Sequence, residues 1–233
     1  MISFKWRHFQ KEIILMLVRW YLAYALSYRN IEELSKERGL SVDHATINRW
    51  VIHYAPQLEE AFRNRHKRQV DGSWHMDETY LKVKGKDVYL YRAVDKFGKT
   101  IDFMLSEKRD KAAATRFFEK AIRQHGLPEK VTMDKSGANK AGIDGINLWL
   151  ALVFIFTGIF YQIGIRQIKY LNNIVEQDHR QIKRTTKPMM GFKAFHSAEA
   201  SIAGIELHRM LKKGQHKDAA NMSIFEQFYA LAA

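Results

Sequence analysis

The apolar residues keep one rhythm up to about residue 58 and another from about residue 73. Ile13, Ile14, Leu17, Val18, Tyr21 and Leu22 recur at helical spacing and predict a first helix over residues 8–25. Ser27 can cap a second helix carrying Ile31 and Leu34, and Gly39 suits its left-handed end. A third helix opens at Val42 or Asp43 and runs to about Tyr54, with Pro56 placed to stop it and Ile47, Trp50 and Val51 turned inward. Helix, short glycine turn and helix form a helix-turn-helix pattern. His44, Thr46, Asn48 and Arg49 fall mostly on its outer face, and these side chains suit base edges and phosphates. An ordinary helical hairpin would show the same spacing.

Residues 59–72 read as a polar, basic connection, and after it the period changes to two. WHMDETYLKV, DVYLYRAVD and KTIDFMLSE are three strand-like runs joined by short glycine-containing turns, an antiparallel meander. DKAAATRFFEKAIRQHG follows as an amphipathic helix with Phe117, Phe118, Ala121 and Ile122 inward and Gly126 at its end. EKVTMD is a short strand stopping at Asp134, before the small residues KSGAN. Then come an uncharged run, a strand over Tyr161 to Tyr170, a helix in NNIVEQDHRQIKR and a helical tail in HSAEASIAGIELHRML.

The uncharged run, Gly145 to Ile165, spans 21 residues and is long enough to cross a bilayer. Asn147, Gln162, Gly158 and Gly164 interrupt it, and a buried helix followed by a buried strand accounts for it equally well. The second reading predicts a helix from Ile146 to roughly Gly158 forming an inner layer on the sheet, with Phe154 in the core and Arg166 and Lys169 on the following strand near bound DNA.

Charge narrows the partners. The 233 residues carry a formal +13, divided as +5 over residues 1–70, +6 over 71–186 and +2 over 187–233. A positive excess spread along the whole chain favours a polyanion, most often nucleic acid. With no cysteine, thiol nucleophiles, disulfides and zinc–thiolate sites are excluded. The charged amphipathic N-terminus reads as a helix and not as a signal peptide.

In the first strand, Asp77 shares a face with His75, Thr79, Leu81 and Val83, a side that a sheet normally keeps apolar. An ionised carboxylate there needs a compensating partner. In the element order β-β-β-α-β-α-β-α the first strand is central and the fourth can lie beside it, so Asp134 can approach Asp77, and a helix near the strand ends can bring in Glu176. Three carboxylates at one point repel unless a cation joins them. Oxygen ligands without cysteine suit two Mg²⁺ or Mn²⁺ ions. Asp95, Asp102 and Glu78 are equally acidic, and spacing alone does not choose among them.

RHFQ at 7–10, SYR at 27–29, VDHATINRWV at 42–51, WHMDETY at 74–80, YLYRAVD at 89–95, RQIKYLNNIVEQDH at 166–179 and GFKAF at 191–195, in this order, make the chain resemble the DDE transposases of the bacterial insertion-sequence family IS6. The resemblance implies a helix-turn-helix followed by an RNase H-like core, with catalytic, metal-holding acids at Asp77, Asp134 and Glu176, and Lys183 contacting terminal DNA phosphates. It implies an α/β fold with a mixed five-stranded sheet, and a division into residues 1–58 (helix-turn-helix), 59–72 (basic linker), 73–186 (core) and 187–233 (helical). It also implies double-stranded DNA partners (terminal inverted repeats and target), a homodimer or larger synaptic assembly, cointegrate formation and a bacterial cytoplasmic setting without a membrane. A catalytically inactive DNA-binding regulator and a structure-specific nuclease on the same fold are the alternatives. The 41 residues between Asp134 and Glu176 depart from the family pattern by their length, and the excess lies in the uncharged run.

Overall fold

A computed structural model describes residues 2–5 and 8–233, apart from the side chains of Lys169 and Tyr170. Arg7 of the RHFQ motif and the side chain of Lys169 therefore lie outside the described set. The helices are α1 (Lys11–Ala23), α2 (Tyr28–Lys36), α3 (His44–Ala61), α4 (Lys111–His125), α5 (Gly137–Thr157), α6 (Asn173–Thr186), α7 (Phe195–Lys212) and α8 (Ile224–Ala230). The strands are β1 (Ser73–Val83), β2 (Lys86–Asp95), β3 (Thr100–Ser106), β4 (Lys130–Thr132) and β5 (Gly164–Arg166). They pack as two units.

The first unit comprises residues 1–68, 82–85 and 181–233, so the helical tail is built into the same body as the N-terminal helices. α7 lies across α1 and α3. At Gly204 the backbones come so close that a Cβ would sit 2.5 Å from Leu22 and 2.9 Å from Ala55. Within this unit, Ser27 caps α2 in a capping box, Gly39 adopts φ +72, and Asp43 caps α3 by accepting from the Ala45 and Thr46 amides. α1 is shorter at both ends than the predicted 8–25. α3 does not stop at Pro56: it runs through to Ala61 and continues as a π-helical turn over Phe62–His66. Proline removes one helical donor and crowds the carbonyl four residues back. The buried side chains of Tyr54, Ala55, Leu58 and Phe62 on either side hold the helix together nonetheless. The start of the expected 59–72 connection is thus helical.

The second unit, residues 69–81 and 86–180, holds a five-stranded sheet in the order β3-β2-β1-β4-β5. β2 and β3 are antiparallel, whereas β4 runs parallel to both β1 and β5. This is the mixed five-stranded sheet expected from the sequence, with β1 central and β4 beside it. One face carries Trp74, Met76, Tyr91, Val131 and Met133, buried against Phe117, Phe118 and Ala121 of α4 and Ile143 and Leu150 of α5.

α5 departs most from expectation. It begins nine residues before Ile146, because the KSGAN segment enters the helix instead of forming a loop. Its end at Gly158, left-handed with φ +70, is where the sequence placed it. β5 does lie next to β4, but it is only three residues long, within the predicted 161–170. α5 is also not an inner layer over its whole length. Asn139, Gly142, Ile143 and Leu150 are buried, and a Cβ on Gly142 would meet Ala114 at 3.2 Å, so this side packs tightly on α4. Phe154, expected in the core, is 41% exposed, and Ile155 and Phe156 are exposed further. Gly137–Thr157 is long and apolar enough to cross a membrane by length and composition alone.

Candidate active site

The register of the two parallel strands explains why Asp77 meets Asp134. Ser73 pairs with Lys130, Trp74 with Val131 and His75 with Thr132, a constant offset. Continued two residues beyond His75 and Thr132, it sets Asp77 opposite Asp134, where β4 has ended and the chain turns into α5. The Asp134 carboxylate accepts from the Ser136 amide at 3.0 Å, which fixes it at the start of that turn.

Carboxylate oxygens of Asp77, Glu78 and Asp134 lie within 4.8 Å of one another, making this one of two groups of possible metal ligands among the described residues. Three acids this close require cations. Arg109 supplies one: its Nε donates to Glu78 Oε1 at 3.1 Å and its guanidinium reaches Asp134 Oδ2 at 3.7 Å. Glu78 also accepts from Asn139 Nδ2 at 2.9 Å, and its side chain is 2% exposed. Burial pushes its carboxyl up, against the pull of Asn139 and Arg109. Glu78 therefore already has partners for both oxygens. Asp77 and Asp134, 18% and 40% exposed, are the more open pair. Such oxygen donors at the edge of a core fit a hard divalent cation.

The opposite face of β1 from Trp74 and Met76 is bound to the segment that starts α6. His75 Nδ1 lies 2.8 Å from the Leu171 carbonyl, and Asn172 Nδ2 donates to the Met76 carbonyl at 3.1 Å. One turn further on, Asp178 pairs with the buried Arg92 at 2.6 Å. His179 Nε2 sits 3.3 Å from Asp77 Oδ2. Arg92 Nη1 approaches His179 Nδ1 at 3.5 Å, on the side of the ring away from Asp77. Glu176 lies exposed in the first turn of α6, three residues before His179 and so on the same side of the helix. It is not among the three acids within 4.8 Å of one another.

The competing acids have structural partners. Asp95 accepts from the Phe97 and Lys99 amides in the β2–β3 turn, and Asp102 from Lys120 Nζ at 3.0 Å. Sequence reasoning missed Arg109 and His179. Position three after Glu176 was a usable signal for His179, whereas nothing local marks Arg109. Lys183 is exposed, two turns beyond Glu176 on α6.

In the first unit the outer face of α3 is as predicted, but part of it is engaged locally. His44 Nδ1 lies 2.8 Å from Glu32, Thr46 Oγ1 donates to Asp43 at 2.6 Å, and Arg49 donates to Thr46 at 2.8 Å. Arg49 remains exposed beyond its bond to Thr46, and Asn48 beside it is half-buried.

A family model described as "DDE domain" matches residues 71–215, and one described as "Transposase IS66 family" matches residues 8–133. The chain is 38% identical over 215 residues to the transposase for insertion sequence-like element IS431mec of Staphylococcus aureus, covering 91% of this chain and 90% of that one. The same identity and coverage hold for the transposase for IS257 in transposon Tn4003 of Staphylococcus aureus. Among solved structures, the HTLV-2 integrase catalytic core domain in complex with magnesium is 16% identical, with a TM-score of 0.36 over 71% of this chain and 85% of that one. The BIV integrase catalytic core domain is 17% identical, with a TM-score of 0.40 over 60% and 84%. Identity at this level over nine-tenths of both chains shows that this protein belongs to the DDE transposases of the IS6 insertion-sequence family.

Proposed function

We propose that this transposase, a metal-dependent enzyme that cuts nucleic acid, hydrolyses the strand at the 3′ end of its element and joins the freed 3′-OH to target DNA, giving a cointegrate. The supporting observation is the strand register that sets Asp77 beside Asp134 at the end of β4. Asp77 and Asp134 would hold the divalent ions, two of Mg²⁺ or Mn²⁺, and Glu176 would complete the set from the first turn of α6. Bound there, such ions would supply activation of the attacking hydroxyl and stabilisation of the leaving oxygen in an in-line displacement. His179, whose Nε2 lies 3.3 Å from Asp77 Oδ2, positions the Asp77 carboxylate, and Arg92 with Asp178 positions His179. Asn48 and Arg49 read the terminal inverted repeats, His44 and Thr46 support α3 at its entry, and Lys183 contacts terminal phosphates. Two ends must be held together, so the working form is at least a homodimer, acting on DNA in the bacterial cytoplasm.

The test is cleavage and joining of an oligonucleotide duplex carrying the element's end, with Mg²⁺ or Mn²⁺. Asp77→Asn, Asp134→Asn and Glu176→Gln should each abolish both steps while binding of the duplex is kept. A Glu176→Gln protein joining ends at the parental rate would remove Glu176 from the set. Loss of activity in Glu78→Gln with Glu176→Gln fully active would move the third ligand to Glu78.

A further inference from the structure

α5 is apolar on two sides, and among the described residues only one side is covered. Asn139, Gly142, Ile143 and Leu150 lie on the buried side, toward α4 and the sheet. At 100° per residue, Leu148, Trp149, Leu152, Ile155 and Phe156 form a second stripe about 120° wide on the other side. Their exposures are 66, 61, 50, 71 and 87%, and Ile159 and Phe160, just past the helix end, add 72 and 66%. A helix apolar on both sides belongs between two layers, and no described residue supplies the second one. The five stripe side chains with Ile159 expose roughly 800 Å², taking about 150–250 Å² for a large side chain in full, whereas Phe154 lies on the other side of the helix with Phe160 packed on it. An apolar patch on a soluble monomer rarely exceeds a few hundred Å².

We infer that the outer stripe of α5 is a self-association surface, on which α5 of a second copy of this chain packs about a two-fold axis. The inference rests on the transposase reading only for why two copies should meet. Its physical support is separate. The available area matches the roughly 800 Å² per partner of a standard interface. An isologous contact uses the same patch on both subunits, so a chain of net charge +13 avoids repulsion most simply by meeting its copy through a face free of charge. Residues 145–165 carry none.

A bilayer is a poor occupant. Asn147 and Ile163 exchange two hydrogen bonds, Nδ2 to the carbonyl at 3.0 Å and amide to Oδ1 at 2.9 Å, which clamp the returning chain to the middle of α5. Gly164 then enters β5 beside β4. Only the part of the helix beyond about Leu148 is free, roughly 15 Å at about 1.5 Å per residue, against a hydrocarbon core of about 30 Å.

Light scattering on the full chain, without detergent and at high salt, should give twice the 27.3 kDa monomer mass over a dilution series. Ile155→Lys and Phe156→Glu, at exposed positions, should each keep the far-ultraviolet dichroism of the parent and weaken dimerisation by roughly 100-fold, the scale of an interface centre. Because the chain lacks cysteine, Phe156→Cys installs a single thiol that should form a cross-chain disulfide under mild oxidation. A monomeric parent, dimerisation undiminished in both charged variants, or co-sedimentation of the parent with neutral phosphatidylcholine vesicles would each overturn the inference. A dimer that fails to cleave its DNA ends would leave this inference standing and overturn the proposed function instead. Cleavage by a monomer would do the reverse.

Discussion

Replacing Asp178 by alanine tests how α6 is held in place. The Arg92–Asp178 pair is 2.6 Å long, with side chains 0% and 8% exposed, and it ties the second turn of α6 to β2. Removing one member of such a pair leaves a charge in a site that solvates it poorly, at a cost of roughly 3–5 kcal/mol. For a chain of this size that lowers the melting temperature by roughly 10 °C. Asp178→Asn keeps a hydrogen-bond acceptor and should lose less. Replacing both members by apolar residues of similar size, Arg92→Met with Asp178→Leu, removes the uncompensated charge and should return stability to within about 1 kcal/mol of the parent. Rate should not return with it. His179 would lose its neighbour at Nδ1, and disturbing groups behind a metal ligand typically costs about 10–100-fold. Urea titration of the three variants beside the parent, with end-cleavage rates on the same preparations, gives both readouts. If Asp178→Ala lies within about 0.5 kcal/mol of the parent, or the double variant is as unstable as the single one, the pair does not anchor α6 in this way.

Gly204→Ala should destabilise the protein by roughly 1–3 kcal/mol through overpacking against Leu22 and Ala55, read as a lower urea midpoint. Asn48→Ala and Arg49→Ala should each weaken binding to the element's ends by about 1–3 kcal/mol in a fluorescence-anisotropy titration, and equal loss on unrelated duplexes would argue against base reading. His208 is held down to about 3 by burial and then by the charges of Lys212, Arg19 and Arg209, so the folded ring stays neutral where the unfolded one, near 6.5, takes a proton. Stability should therefore be flat in this respect above pH 6.5 and fall below it, by roughly 1 kcal/mol between pH 6.5 and 5.5. His208→Leu should flatten that part of the curve, and an unchanged slope would count against the assignment.

What could be read from the sequence follows the range of the forces involved. Period-two runs and their turns determine the meander, and the order of elements leaves β4 little choice but the free edge of β1. Asp77 and Asp134 come together for that reason. Helix caps at Ser27 and Asp43 and left-handed ends at Gly39 and Gly158 are local and legible. Pro56 misled because its local penalty is outweighed by burial on both sides of it, which only the assembled unit reveals. Arg109 was unreadable for a similar reason, since it compensates Glu78 and Asp134 from 31 and 25 residues away in the chain. The outer stripe of α5 looked like core because composition records that a residue is apolar and not which neighbour covers it.

The interleaving of the two units has a consequence for synthesis. The N-terminal helices leave the ribosome first, yet α7, which covers them at Gly204, is made more than 130 residues after α3. Residues 69–180, apart from the short hairpin tip, form a body whose strands and helices are all available well before the end of translation. Chains generally fold in the order in which domains become complete. Here that order is inverted, with the middle of the message finishing before its beginning. A nascent chain must shelter the apolar faces of α1 and α3 until its last fifth emerges. A premature stop upstream of α7 would leave Leu22 of α1 and Ala55 of α3 without the helix that covers them.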